Sequence, residues 1–152
     1  MIVNNTMVYL FSRSGDSILT YMNKGKFTGI AGLVPVAEDP TAMALHSIER
    51  VTGLSLTADA INLEGIVGVP AASNPGVITN THYYTAVVSK DHVKPQIGGP
   101  GLNWVSPKQV EDEPELFIDS DITRFVIKKA MARYNFSTNS VTRIPFRPSK
   151  PY

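Results

Sequence analysis

The chain contains no cysteine. That absence excludes disulfides, thiolate nucleophiles and cysteine-ligated zinc, and it suits a reducing, cytoplasmic setting. No apolar run approaches the roughly 18 residues a membrane span needs. The opening stretch MIVNNTMVYLF lacks the basic flank and small-residue cleavage site of a secretory leader. A membrane partner is therefore not expected. No G-x-S-x-G occurs, so there is no nucleophile elbow, and Gly98, Gly99 and Gly101 are not followed by the Lys-Ser/Thr of a phosphate loop. His46, His82 and His92 lack a close metal-ligand spacing. After Asp121 there is no acid at all.

At 152 residues, 43% hydrophobic and 18% charged, the composition is that of one globular domain with a core. The net charge of +1 calls for no polyanionic partner, and with no long basic run a nucleic acid is not the favoured one. The charge is unevenly spread. Glu111, Asp112, Glu113, Glu115, Asp119 and Asp121 cluster, and Arg124, Lys128, Lys129, Arg133, Arg143, Arg147 and Lys150 follow. Over 111–133 this reads as a helix with acids toward its N-terminal end and bases toward its C-terminal end, as the macrodipole favours.

Residues 7–12 and 17–22 are apolar and β-prone, and Ser14-Gly15-Asp16 between them predicts a hairpin. Residues 27–34, FTGIAGLV, are glycine-rich and read as irregular or bulged. Asp39 as N-cap, Pro40 at the first helical position and Gly53 beyond the end bound a helix, with Ala42, Leu45, Ile48 and Val51 as its apolar stripe. Strands follow at 58–69, at 81–89 and at Leu102–Val105, with loops at 70–80 and 91–101. Ser106-Pro107 starts a short helix. Asp119 or Ser120 starts a longer one through about Asn135, with Ile122, Phe125, Val126, Ala130 and Met131 inward. This order predicts an α/β/α sandwich, a mixed β-sheet flanked by helices, over residues 1–136. Residues 137–152 form a basic, proline-containing C-terminal tail, read as a flexible terminus that can also reach a partner or add to a sheet edge through VTRIPF.

Residues 32–54, GLVPVAEDPTAMALHSIERVTGL, resemble the signature box of the Nudix hydrolases. In that box a glycine, five residues, a glutamate and seven residues precede R-E-aliphatic-x-E-E-x-G-aliphatic. Gly32, Glu38, Ile48, Gly53 and Leu54 fit the pattern. The chemical positions depart from it. The Arg-Glu pair becomes His46-Ser47 and the Glu-Glu pair becomes Arg50-Val51. The passage LNWVSPKQVEDEPELF before the last helix also resembles the family, in which a Trp ends a strand and a short helix follows.

The resemblance implies cleavage of nucleoside diphosphate derivatives with magnesium held by the lost acids. Ser47, Arg50 and Val51 offer a hydroxyl, a fixed cation and a hydrocarbon instead. Arginine has no acceptor and repels a metal. Glu49 falls at the variable position and is expected to pair with a surface base. The loop before Trp104 supplies no acid either.

Three functions follow. The first is a degenerate Nudix-like pseudoenzyme that binds a nucleoside-diphosphate-type ligand or a protein partner, with no cofactor expected. Arg50 replaces the metal as counter-charge, with Lys24 or Lys26 assisting. Ser47 and Glu38 lie at box positions, and Phe27, Tyr83, Tyr84 and Trp104 are candidates to stack on a base. Against this, Arg50 reads equally as a solvated or salt-bridged residue, and each aromatic as core. The second is an active hydrolase whose altered magnesium site uses Glu38, Glu49, Glu64 or the acids at 111–115. The third is an interaction protein with no small ligand, for instance a homodimer.

Overall fold

The computed structural model describes residues 1–94 and 101–136. The element order is β1 (Ile2–Ser12), β2 (Ile18–Asn23), β3 (Lys26–Thr28), β4 (Ile30–Val34), α1 (Pro40–Thr52), β5 (Asn62–Ala71), β6 (Asn74–Val88), β7 (Leu102–Val105), α2 (Pro107–Asp112) and α3 (Ser120–Arg133). The strands form one mixed sheet of order β3-β2-β1-β6-β5, with β4 also paired to β1 and β7 to β2. Among the strand pairs of the described residues, β1 and β6 alone run parallel, from Ile2 opposite Ile78 to Ser12 opposite Val88.

Alternation along β1 builds the two layers. Val8 and Leu10 face α1, with Leu19, Ile30, Ala44, Ile48 and Tyr84. Tyr9 and Phe11 face α2 and α3, with Ile18, Tyr83, Val110, Phe117, Val126, Ile127 and Met131. This is the helix-flanked mixed sheet that the sequence predicts. No helix of the described residues is long and apolar enough to cross a membrane.

The expected hairpin is present. Leu10 pairs with Leu19, and Gly15 in its turn has φ +78°. Only glycine suits that position on both counts, because a Cβ there would stand 2.3 Å from the Phe136 ring.

Several expectations need correction. Residues 27–34 are two short strands, because β2 and β1 satisfy their backbones from outside. Residues 70–80 mostly extend a long β5–β6 hairpin, with Ile78 opposite Pro70 and Thr79 opposite Val69. The β5 strand begins at Asn62, after a single 3-10 turn at Ala58–Ala60. The acids at 111–121 do not share one helix. They run from the end of α2 through a turn into α3, where Asp121 is the acid of the first turn. Surface pairs link them to bases, Lys108 to Asp112 at 2.7 Å and Lys128 to Glu111 at 2.9 Å.

In α3 Phe125 is 59% exposed and not inward, while Thr123 and Ile127 join the buried side. In α1 Ala42 is exposed, and Ala44, Ser47, Ile48 and Thr52 are buried. Three-residue steps drift across a helix surface that repeats every 3.6 residues, so a stripe chosen that way loses its far end. The C-terminal tail and most of the glycine-bearing loop before β7 lie outside the described residues.

Candidate ligand-binding groove

Helix α1 is bounded as its sequence requires. The Asp39 carboxylate accepts from the Thr41 amide at 3.3 Å, and Gly53 closes the end at φ 78° with its N–H on the Glu49 carbonyl. The last turn lies against β4. A Cβ at Gly32 would stand 2.5 Å from the Ser47 Oγ and 3.0 Å from the Thr6 Oγ1, both buried side chains. Glycine at 32 therefore lets the strand approach the helix closely at Ser47. Gly32→Ala is expected to lower stability by about 1–3 kcal/mol through overpacking. The double variant Gly32→Ala/Ser47→Ala should recover much of that, since the Ser47 Cβ lies at 3.6 Å. A thermal double-mutant cycle reads the coupling.

Beside this contact an open groove of about 520 Å³ is floored by Asn5, Thr6 and Met7 of β1, Ala31, Gly32 and Leu33 of β4, and Thr81 of β6, with Arg50 of α1 on its rim. That volume falls within the roughly 300–1,000 Å³ of small-molecule sites. Among the described residues the lining holds one cation and no acid. Arg50 is exposed and makes no ion pair with any described residue. The salt-bridged reading of Arg50 finds no partner among the described residues, and its exposure fits both the solvated reading and the counter-charge.

The other candidate residues do not join Arg50 in the lining. Ser47 is close by but 2% exposed, packed against Gly32 rather than facing a ligand. Glu38 is exposed on the loop before α1. Lys24 and Lys26 lie at the β2–β3 turn. Phe27 packs into the α3-side core, its ring 5.3 Å from that of Phe117. Tyr83 and Tyr84 are buried, and the Tyr84 hydroxyl is 3.0 Å from the Thr41 Oγ1. Trp104 is half-buried on the α1-side core with the Lys90 Nζ 5.1 Å from its ring centroid. The aromatics are core in each case or, for Trp104, already paired with a cation.

The acids weighed for an altered metal site are scattered or engaged. Glu49 accepts from the Ser55 hydroxyl at 2.7 Å and forms no ion pair with a base among the described residues. Glu64 is 1% exposed and held by Arg133 on the α3 side. Among the described residues no three His, Asp or Glu side chains converge. A magnesium ion wants several oxygen ligands in octahedral array. The face of α1 offers a buried hydroxyl at Ser47, a guanidinium at Arg50 and a hydrocarbon at Val51, so the donor set does not fit.

No protein-family model and no curated protein sequence matches the chain. Solved structures do. A MutT protein from Methanosarcina mazei Go1 aligns with TM-score 0.66 at 13% identity, over 87% of this chain and 95% of that one. The chain has a Nudix-like fold. The E. coli ORF135 protein aligns with TM-score 0.65 at 14% identity over 86% of this chain and 91% of that one. A Nudix-family hydrolase from Clostridium perfringens gives 0.57 at 14% over 82% and 95%. In this Nudix-like chain the Trp104 strand and the short α2 stand where the sequence resemblance expects them, and α1 lies between its Asp39 and Gly53 caps.

Sequence reasoning missed Asn5, Met7, Leu33 and Thr81. They meet only through strand register, Asn5 opposite both Leu33 and Thr81, and no local motif marks them.

Proposed function

We propose that this Nudix-like protein binds a nucleoside-diphosphate-type ligand in the groove beside α1, without metal-dependent hydrolysis. The observation that carries this reading is the lining itself, which among the described residues has one guanidinium without an ion pair and no carboxylate. A guanidinium grips phosphate oxygens in a bidentate fork, and a site without acids does not repel them. Arg50 occupies the box position where the resemblance places a metal-ligating glutamate. It replaces a metal as counter-charge.

Titration with ADP-ribose in EDTA tests the reading. Wild type should bind, and Arg50→Ala should bind about tenfold more weakly or worse, the scale of a hydrogen bond to a charged group. Equal affinity for the two proteins, or no binding by either, contradicts it. Formation of AMP and ribose 5-phosphate from ADP-ribose on adding magnesium or manganese would favour the hydrolase alternative.

A further inference from the structure

The sheet has two outer edges, and they are finished differently. At one, β3 is three residues long and is continued by a bridge from Phe27 to Phe117. At the other, β5 runs for ten residues, and no strand of the described residues pairs with its far side. Proteins blunt such an edge with charge, proline or a bulge. Here the bulge lies between Leu63 and Gly65 and the proline is Pro70, which leaves Gly65-Ile66-Val67-Gly68-Val69 unprotected between them. The one charged side chain of the strand, Glu64, is buried, while Ile66 and Val69 are 53% and 49% exposed. Ile66 and Gly68 lie on the α1 side of the sheet, and Gly65, Val67 and Val69 on the α3 side, where Val67 packs against the core. The two glycines differ. A Cβ at Gly68 would stand 2.5 Å from the Asn80 Oδ1, so the protomer itself requires glycine there. A Cβ at Gly65 would meet nothing within 4 Å, and Gly65 has no positive φ. Glycine weakens a strand and often marks the close approach of another backbone. Among the described residues nothing fills the space beside Gly65.

We propose that β5 pairs with itself: two copies of this chain join antiparallel about a two-fold axis at Val67, making one continuous sheet. In that register Gly65 of each copy lies opposite Val69 of the other, and Ile66 lies opposite Gly68. Each pair shares a sheet face, so each exposed apolar side chain meets a glycine across the axis. The Val69 side chain takes the space that is open beside Gly65. A two-fold interface demands a surface complementary to itself, and these five residues supply both the projections and the gaps that receive them. A second copy also brings no like charges together, because the strand exposes none. The segment is far shorter than the roughly 20–30 residues a side of a standard interface, so the dimer is weak and its population rises with concentration. No β5 residue lines the groove beside α1, so pairing leaves the groove open and does not depend on what it binds.

Sedimentation equilibrium of the full chain, from micromolar to millimolar concentration, tests this in wild type, Gly65→Val, Ile66→Lys and Gly65→Val/Val69→Gly. Wild type should pass from monomer to dimer as concentration rises. Gly65→Val has room in the protomer and suits a strand better, so its thermal midpoint should not fall. It nevertheless fills the space that Val69 of the other copy needs, and it should weaken dimerisation about tenfold or more. The double variant exchanges projection and gap across the axis and should return dimerisation to within about threefold of wild type. Ile66→Lys places a charge on the exposed edge and should also weaken dimerisation about tenfold or more, which keeps the test alive if the double variant unfolds. A wild type that stays monomeric at every concentration leaves the edge to another occupant and overturns the proposal. Wild-type dimerisation in both Gly65→Val and Ile66→Lys puts the interface elsewhere and overturns it too.

Discussion

Replacing Arg133 by methionine is expected to destabilise the fold by about 3 kcal/mol at neutral pH. The reason begins in β5. The strand has a register shift between Leu63 and Gly65, so Glu64 is the extra residue of a bulge and its side chain is buried under α3. The Glu64 Oε2 accepts from the Arg133 Nε at 2.9 Å and from the Thr85 hydroxyl at 2.6 Å, and the Oε1 accepts from the Arg133 Nη2 at 3.1 Å. Lys129 donates to the Glu64 backbone oxygen at 2.6 Å. The Tyr134 hydroxyl joins Thr85 at 2.9 Å and receives the Asn62 amide at 2.9 Å. The carboxylate in turn holds the Arg133 guanidinium above its usual pKa through that hydrogen-bonded fork and its charge.

Removing Arg133 leaves the buried carboxylate with the neutral Thr85 hydroxyl as its side-chain partner and the Lys129 ammonium held on the Glu64 backbone oxygen, and truncating one partner of a buried pair costs about 3–5 kcal/mol. Arg133 is itself 39% exposed and Thr85 remains, which sets the expectation at the lower end. Urea unfolding of wild type and variant checks it. A midpoint within about 0.5 kcal/mol of wild type would mean the network does not hold α3 to the sheet. The double variant Glu64→Leu/Arg133→Met carries the sharper sign. It should be more stable than Arg133→Met alone, because no charge is then stranded.

Arg50→Glu should weaken ADP-ribose binding in EDTA roughly a hundredfold or more. The loss of the guanidinium removes charge-assisted hydrogen bonds of about 1.5–3 kcal/mol, and the new carboxylate repels the diphosphate. Stability should change by no more than about 0.5 kcal/mol, since Arg50 is exposed and unpaired. That separates the effect from unfolding. The substitution restores one glutamate of the Nudix pattern, yet one carboxylate beside Ser47 and Val51 does not complete an octahedral oxygen site. Magnesium should not rescue binding or produce AMP and ribose 5-phosphate from ADP-ribose. Undiminished binding by the variant would place the anion elsewhere.

The parts of this molecule that were legible in the sequence are those fixed by local chemistry. Asp39, Pro40 and Gly53 define α1 to the residue because capping acts within a few positions. The turn at Gly15 and the strand before Ser106 follow the same logic. Residues 27–34 and 70–80 misled because their glycines and prolines read as loops, while β1, β2 and β6 supply the pairing that makes them strands. Strand formation is decided by partners that local propensity does not contain.

The site divides in the same way. Arg50 was visible through the box spacing. Ser47 and Tyr84 carried suitable chemistry but are spent on packing. Asn5 and Thr81 stand far apart in the chain and become a pair only when β1 and β6 align. Glu64 looked like a spare acid because a bulge, which turns a side chain to the other face, leaves no mark in the alternation around it.

That same alignment sets the order in which the chain can complete its structure. The parallel pair that runs from Ile2 with Ile78 to Ser12 with Val88 forms the centre of the sheet, and it joins segments separated by two hairpin strands, two short strands and a helix. Such a pairing meets a large loop-closure cost before its contacts repay it, which puts folding in the slower, millisecond-to-second class of β-rich topologies. During synthesis β1 emerges before β6 and can first pair with β2 and β4. Its other edge stays open until β6 arrives, so the apolar run Met7–Phe11 is the stretch most exposed to misassociation in a nascent chain.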